Sequence, residues 1–162
     1  MQVVLNADVS RFDVTDENTV IASTISETDT FYVTTNAGAS WINYPAGEVF
    51  NYIEEFDFIN ENVGFAFDSQ FLYKTIDGGV NWQHISDPDG RKFTFLNEEI
   101  GFALDDIGGN FHRVYYTTNG GQNWIISPFE MTDWSVFDGT VTTHHISGVW
   151  YKTDINEFIL KD

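Results

Sequence analysis

The side chains with chemistry to offer in this sequence are a large set of carboxylates, four histidines and three arginines, with no cysteine. Two carboxylates on facing elements suffice to hydrolyse a glycoside. With 25 Asp and Glu, however, spacing singles out no pair. His144 and His145 are adjacent, so on a strand they point to opposite faces and do not chelate together. His84 and His112 stand apart, and no His-x-His or His-Glu-x-x-His spacing occurs. The histidines therefore read as surface or half-buried side chains rather than transition-metal ligands. Two acidic stretches, Asp87-Pro88-Asp89-Gly90 and Asp105-Asp106-Ile107-Gly108-Gly109-Asn110, have the hard oxygens that suit Ca²⁺. Asp105, Asp106 and Asn110 are the candidate ligands. Neither stretch carries the ligand string of an EF-hand, and a plain acidic loop accounts for both. Gly78-Gly79 and Gly120-Gly121 precede strand-like segments, so they offer no helix N-terminus to a phosphate. No cofactor is expected; calcium is the one ion the sequence has ligands for.

The charge balance narrows the partners. Twenty-five acidic side chains against seven basic ones give a formal net charge of −18 over 162 residues. Such a field repels phosphates, which argues against binding nucleic acid or anionic lipid. The plain reading of the acidity is solubility. Apolar residues make up 42% of the chain, enough for one core, and one domain over 1–162 is expected. The first residues, Met1 to Asp8, lack the basic and apolar regions of a signal peptide. No apolar run approaches the ~18 residues that span a bilayer. A soluble chain without signal peptide or transmembrane segment is expected, its compartment unassigned.

The elements that would position these groups come from a repeat. Thr34–Trp41 (TTNAGASW), Thr75–Trp82 (TIDGGVNW) and Thr117–Trp124 (TTNGGQNW) share the pattern Thr-x-Asp/Asn-x-Gly-x-Ser/Asn-Trp. Asn36, Asp77 and Asn119 lie 41 and 42 residues apart. A period of that size announces a repeat architecture. Upstream of the boxes, Phe56–Phe67 (FDFINENVGFAF) and Phe93–Leu104 (FTFLNEEIGFAL) match closely, and Phe12–Ser23 (FDVTDENTVIAS) is a looser copy. Alternation at Phe56/Phe58 and Phe93/Phe95 marks strands, and Asn60-Glu61-Asn62 and Asn97-Glu98-Glu99 mark short turns between them. No stretch shows helical spacing, so the fold class is all-β. The units expected are roughly 8–50, 51–89, 90–130 and 131–162. The last is degenerate: Trp134–Thr143 supplies a strand and turn, and Val149–Asp154 echoes Phe71–Asp77 without a following box. Phe158–Leu160 and Met1–Asn6 are candidate closing strands.

Within each box the residue types suggest a self-satisfied turn. The carboxylate or amide of Asn36, Asp77 or Asn119 can accept from turn N–H groups, with the hydroxyl of Thr34, Thr75 or Thr117 joining. Gly38, Gly79 and Gly121 supply the backbone freedom of a tight hairpin. Trp41, Trp82 and Trp124 can cover the turn and pack on a neighbouring unit.

These three strings resemble the Asp-box, or bacterial neuraminidase repeat. It occurs in sialidases, sortilin-type receptors, xyloglucan-active glycoside hydrolases and the photosystem II stability and assembly factors. The run GFAF…LYKTIDGGVNW is most similar to the last group. The resemblance covers roughly residues 12–126. It implies a β-propeller-like array of about four four-stranded antiparallel blades, with each box on a peripheral hairpin away from the functional face. Sialidase chemistry would further need an arginine triad, a nucleophilic Tyr with its Glu and an acid/base Asp. Arg11, Arg91 and Arg113 do not sit in that context, Arg91 following a turn and Arg113 falling in a variable loop.

The function expected is therefore a non-catalytic structural or binding module that mediates protein assembly, with no catalytic residue assigned. Its partners are other protein subunits: further copies in a homo-oligomer, or virion proteins if the chain is a phage tail, fibre or capsid-decorating component. Small size, acidity and a blade count that invites completion by neighbours motivate the virion setting. The alternatives are a glycan-binding or glycoside-hydrolase-like protein, with Trp134, Trp150 and Tyr52 as the aromatic candidates for stacking on sugars, and a photosystem-type assembly factor.

Overall fold

The computed structural model describes residues 8–24, 30–45, 50, 53–108, 111–131, 133–137, 140–144 and 150–154, with side chains described up to residue 105 and from 112 to 127. The described residues form fifteen strands and no helix. The chain divides into two compact units, Met1–Pro88 and Asp89–Asp162.

The first unit holds two four-stranded antiparallel sheets. One runs β1 (Val9–Val14), β2 (Val20–Thr24), β3 (Thr30–Thr34), β4 (Ile42–Pro45) in that spatial order. The other runs β5 (Glu55–Phe58), β6 (Gly64–Phe67), β7 (Leu72–Thr75), β8 (Gln83–Ser86). The second unit has the same plan in β9 (Lys92–Phe95), β10 (Gly101–Gly108), β11 (Phe111–Thr117) and β12 (Ile125–Met131). Its other sheet has three described strands, β13 (Asp133–Phe137), β14 (Thr140–His144) and β15 (Trp150–Asp154). Phe158–Leu160 and Met1–Asn6 lie outside the described residues. Among the described residues no helix is long and apolar enough to cross a membrane.

Each sheet is a meander, because each strand pairs with the next one in sequence. The second strands are covered on both faces: all four residues of β6 are buried, as are Gly101–Leu104 of β10. That is why they read as a continuous Gly-Phe-Ala-apolar run and not as alternation. The glycine in this run has a steric reason. Phe58 pairs with Gly64, and Phe95 with Gly101. A Cβ on Gly64 would sit 2.6 Å from the Phe58 ring, and one on Gly101 2.5 Å from Phe95. The aromatic ring lies over its cross-strand partner, and only glycine leaves the room. In the first sheet both members of the pair change together, to Val14 and Val20.

The core of the first unit lies between its two sheets. Phe31 of β3, fully buried, stacks on Trp82 at 5.0 Å and meets Phe56 and Phe58 edge-on at 5.5 and 6.5 Å. Phe50 packs edge-on to Tyr73 at 4.6 Å. Such pairs contribute about 0.5–1.5 kcal/mol each beyond the area they bury. A polar bond also crosses this seam: the Phe58 N–H donates to Asp13 Oδ2 at 2.7 Å. In the second unit Phe93 and Phe95 pack against Trp124 at 5.6 and 6.1 Å, while Phe102 and Val114, on the other face of the sheet by register, are fully buried.

The box turns demand left-handed backbone at two consecutive residues. Gly78 and Gly79 take φ of 69° and 89°, and Gly120 and Gly121 take 68° and 82°. In the first box the leading position is Ala37, held at φ 54°. An L-residue there costs about 1–2 kcal/mol. Ala37→Gly is therefore expected to stabilise the protein by about 1 kcal/mol in urea unfolding. Gly120→Ala should do the opposite and by more, since its Cβ would meet the Glu98 carbonyl oxygen at 2.6 Å.

Candidate functional site

The three boxes have one geometry. The threonine hydroxyl donates to the Asx oxygen: Thr34 to Asn36 at 3.0 Å, Thr75 to Asp77 at 2.9 Å, Thr117 to Asn119 at 3.0 Å. The same hydroxyl accepts the N–H of Gly38, Gly79 or Gly121 at 3.0, 3.0 and 2.9 Å. The Asx Oδ1 in turn accepts the N–H of Ser40, Asn81 or Asn123. All three threonines are buried. Trp82 Nε1 donates to the Gly79 carbonyl at 3.1 Å, and its ring stacks across the seam on Phe31. The Trp41 ring lies 3.9 Å from a Cβ position on Gly38. Trp124 packs on Phe93 and Phe95, its buried Nε1 without a partner among the described residues.

Each box is also tied to the first turn of its own sheet. Ala37 N–H donates to the Asn18 carbonyl, Gly78 N–H to that of Asn62, and Gly120 N–H to that of Glu99, all at 2.8 Å. Those turns are closed by a side-chain oxygen accepting two N–H groups: Asp16 from Asn18 and Thr19, Asn60 from Asn62 and Val63, Asn97 from Glu99 and Ile100. The N–H of Asn18 and then the Thr19 side chain hold the Asp16 carboxyl below its ordinary pKa, with the Thr19 N–H adding to them.

Between the first two of these turns, within the first unit, lies a cleft of about 290 Å³ lined by Thr15, Asp16, Ile59, Asn60, Glu61 and Asn62. The Thr15 hydroxyl is buried there with no hydrogen-bond partner among the described residues. Asp16 uses Oδ1 in closing its turn, while Glu61 makes one long contact to the Asn62 amide at 3.4 Å. The walls are thus fixed by backbone hydrogen bonds and carry carboxylates in a chain of strong negative charge.

At the β6–β7 turn a second set of ionisable groups gathers. Asp68 is fully buried, and its Oδ1 accepts the N–H of Gln70 and Phe71 while Ser69 takes φ 75°. The Tyr73 hydroxyl donates to Asp68 Oδ2 at 3.3 Å. Burial first, and then the Asp68 charge, push the Tyr73 phenol up to about 12. His84 and Asp87 meet at 2.6 Å on the exposed side of Tyr73. Sequence reading missed Asp68. The available signal was a lone carboxylate between two apolar strands, Phe67-Asp68-Ser69-Gln70-Phe71.

The other sequence candidates are dispersed. Asp105 and Asp106, expected in a loop, lie in β10, in register with Arg113 and His112 of β11. Arg113, also expected in a loop, belongs to that strand. Pairing extends past the expected turn, with acidic positions of β10 opposite arginine and histidine positions of β11. Asn110 and Tyr52 lie outside the described residues. Trp134 and Trp150 are in β13 and β15, with side chains outside the described set. Among the described residues no three His, Asp or Glu side chains converge to hold a metal ion.

No protein-family model matches this sequence, and no curated protein matches it. Solved structures do share its fold. The chain is similar to YCF48 bound to a D1 peptide, with a TM-score of 0.60 and 16% identity over 95% of this chain and 54% of that one. YCF48 from Cyanidioschyzon merolae gives 0.61 at 14% identity over 95% and 59%. An ancestral GH74 enzyme gives 0.58 at 22% identity over 91% of this chain and 23% of that one. The chain spans less than 60% of the length of the YCF48 chains it matches. Together with the four-stranded antiparallel sheets, these likenesses identify the fold as β-propeller-like.

Two measurements test the boxes. Thr117→Val strands the N–H of Gly121 and takes away one of the two donors to the Asn119 oxygen, and is expected to cost about 1–3 kcal/mol in chemical unfolding. For Asp77, burial pushes the carboxyl up, but hydrogen bonds from Asn81 and Thr75 outweigh it and leave the pKa below its ordinary value. Its contribution to stability is therefore full above the unfolded-state pKa and is lost as pH falls through the folded-state value. Asp77→Asn, the residue type of the other two boxes, should flatten that part of the acid limb in a plot of melting temperature against pH.

Proposed function

We propose that this chain is a non-catalytic protein-binding module that takes a basic segment of a partner into the cleft between its first two sheet turns. The observation that carries this reading is the cleft: a preformed space lined by Asp16, Glu61 and Thr15, whose buried hydroxyl has no hydrogen-bond partner among the described residues. The boxes satisfy most of their polar groups internally, which leaves them as framework. At about 290 Å³ the cleft is at the low end of the roughly 300–1,000 Å³ of small-molecule sites. That size suits one or two side chains better than an oligosaccharide. A net charge of −18 adds long-range attraction for lysine and arginine. A protein of the same fold, YCF48, has been solved with a peptide bound, which supports the class of partner. A phage particle is one setting that such an acidic, cysteine-free assembly module would suit.

Calorimetric titration with a lysine- and arginine-rich peptide, against an equally long acidic one, tests the reading. The basic peptide is expected to bind, more weakly at high salt, and Glu61→Lys to weaken it about tenfold. Glu54→Lys, an equal change of charge in the same unit but outside the lining of the cleft, should have a much smaller effect. Equal loss in both variants, or equal binding of the acidic peptide, would sink the proposal.

A further inference from the structure

Asn119 and Gly120 form the one Asn-Gly pair in the sequence. This is the most reactive context an asparagine can have, because glycine has no Cβ to shield its backbone nitrogen. Once its proton has gone to base, that nitrogen attacks the side-chain amide carbon. The N–Cγ bond forms, the Cγ–Nδ2 bond breaks and ammonia leaves, giving a cyclic imide. Water then opens the ring on one side or the other. The products are aspartate with an ordinary peptide bond and isoaspartate with the chain routed through the side chain. The other two boxes carry Asn36-Ala37, where a Cβ crowds the nitrogen, and Asp77-Gly78, which has no ammonia to lose.

The native box engages both reacting groups. Gly120 is buried and its N–H donates to the Glu99 carbonyl at 2.8 Å, which opposes loss of the proton that starts the reaction. Asn119 Oδ1 accepts the Thr117 hydroxyl and the Asn123 N–H, both at 3.0 Å. Those bonds pin the side chain, and with it the carbon that would be attacked. The box also discriminates between the products. In the second box Asp77 accepts the same two bonds through Oδ1, and its Oδ2 accepts from Asn81 Nδ2 at 2.8 Å. In the third box the matching partner is Asn123, and among the described residues no side-chain bond joins it to Asn119. An aspartate at 119 offers Asn123 the acceptor that Asp77 offers Asn81. Isoaspartate instead lengthens the backbone before Gly120. The bond from Gly120 N–H to Glu99 and that from Gly121 N–H to the Thr117 hydroxyl, at 2.9 Å, both depend on that spacing. We infer that Asn119 is a deamidation site, closed in the native box and opened when the second unit unfolds, with aspartate the product the box accepts and isoaspartate the one it rejects. This rests on the third box alone and is independent of the acidic cleft.

Incubation of the full chain in mildly alkaline buffer, with and without denaturing guanidinium chloride, followed by peptide mass mapping, tests this. In denaturant Asn119 should deamidate at least about tenfold faster than in buffer, and well ahead of Asn36. Asn119→Asp should melt at or above the wild-type temperature. After the two deamidated forms are separated and the denaturant is diluted, the aspartate form should regain the wild-type circular dichroism and melting transition, and the isoaspartate form should not. Equal rates in buffer and denaturant, or an Asn36 that reacts as fast as Asn119 in denaturant, would overturn the inference. So would an Asn119→Asp protein that melts well below wild type, or an isoaspartate form that refolds fully.

Discussion

Each of the three complete sheets hangs on a threonine hydroxyl shut away from water. Thr34, Thr75 and Thr117 give that hydroxyl to an Asx oxygen and receive a glycine N–H in return. Left unpaired at that depth, the hydroxyl would cost roughly 1–3 kcal/mol. Paired, it fixes the left-handed turn, and the preceding residue of that turn then reaches the carbonyl of the first hairpin. One buried hydroxyl thereby ties the loop between strands three and four to the turn between strands one and two. Both edges of a four-stranded sheet are held at one end by local bonds that need no neighbour.

What joins sheets is different in kind. In the first unit the seam is aromatic, with Phe31 as its centre, and the Asp13 carboxylate accepts the Phe58 N–H across it. Apolar contact of this sort is strong and undirected, and the repeat supplies the geometry. The same division of labour governs the surface. Polar groups of the boxes are consumed in local structure. What remains for other molecules is charge around a rigid cleft.

The parts legible in the sequence were those whose chemistry closes within a few residues. Thr75, Asp77, Gly79 and Trp82 act together inside eight positions, and Asn60 and Asn97 bond N–H groups two and three residues on, so the strings themselves display the structure. The GFA run was legible as a strand, but its glycine was explained only when Phe58 was found lying over Gly64, six residues away across a turn. Asp68 was missed because nothing near it looks like a site. Its burial comes from the tertiary packing of Phe67 and Leu72, and its turn uses Ser69 at positive φ where glycine would have given the signal. Asp105 and Asp106 misled in the other direction. Consecutive acids read as a loop, yet the ladder continues through them, opposite Arg113 and His112.

The central claim is that the boxes are closed framework, with the N–H groups of their turns already engaged. Native-state hydrogen exchange by NMR reports this directly. The account predicts that the amides of Gly79 and Gly121 exchange as slowly as those of Ala66 and Ala103 in the buried second strands, with protection close to that for global unfolding. Exchange of the two glycine amides at the rate of an exposed turn such as Ser69 would contradict it, since those N–H groups would then be open to water and to ligands.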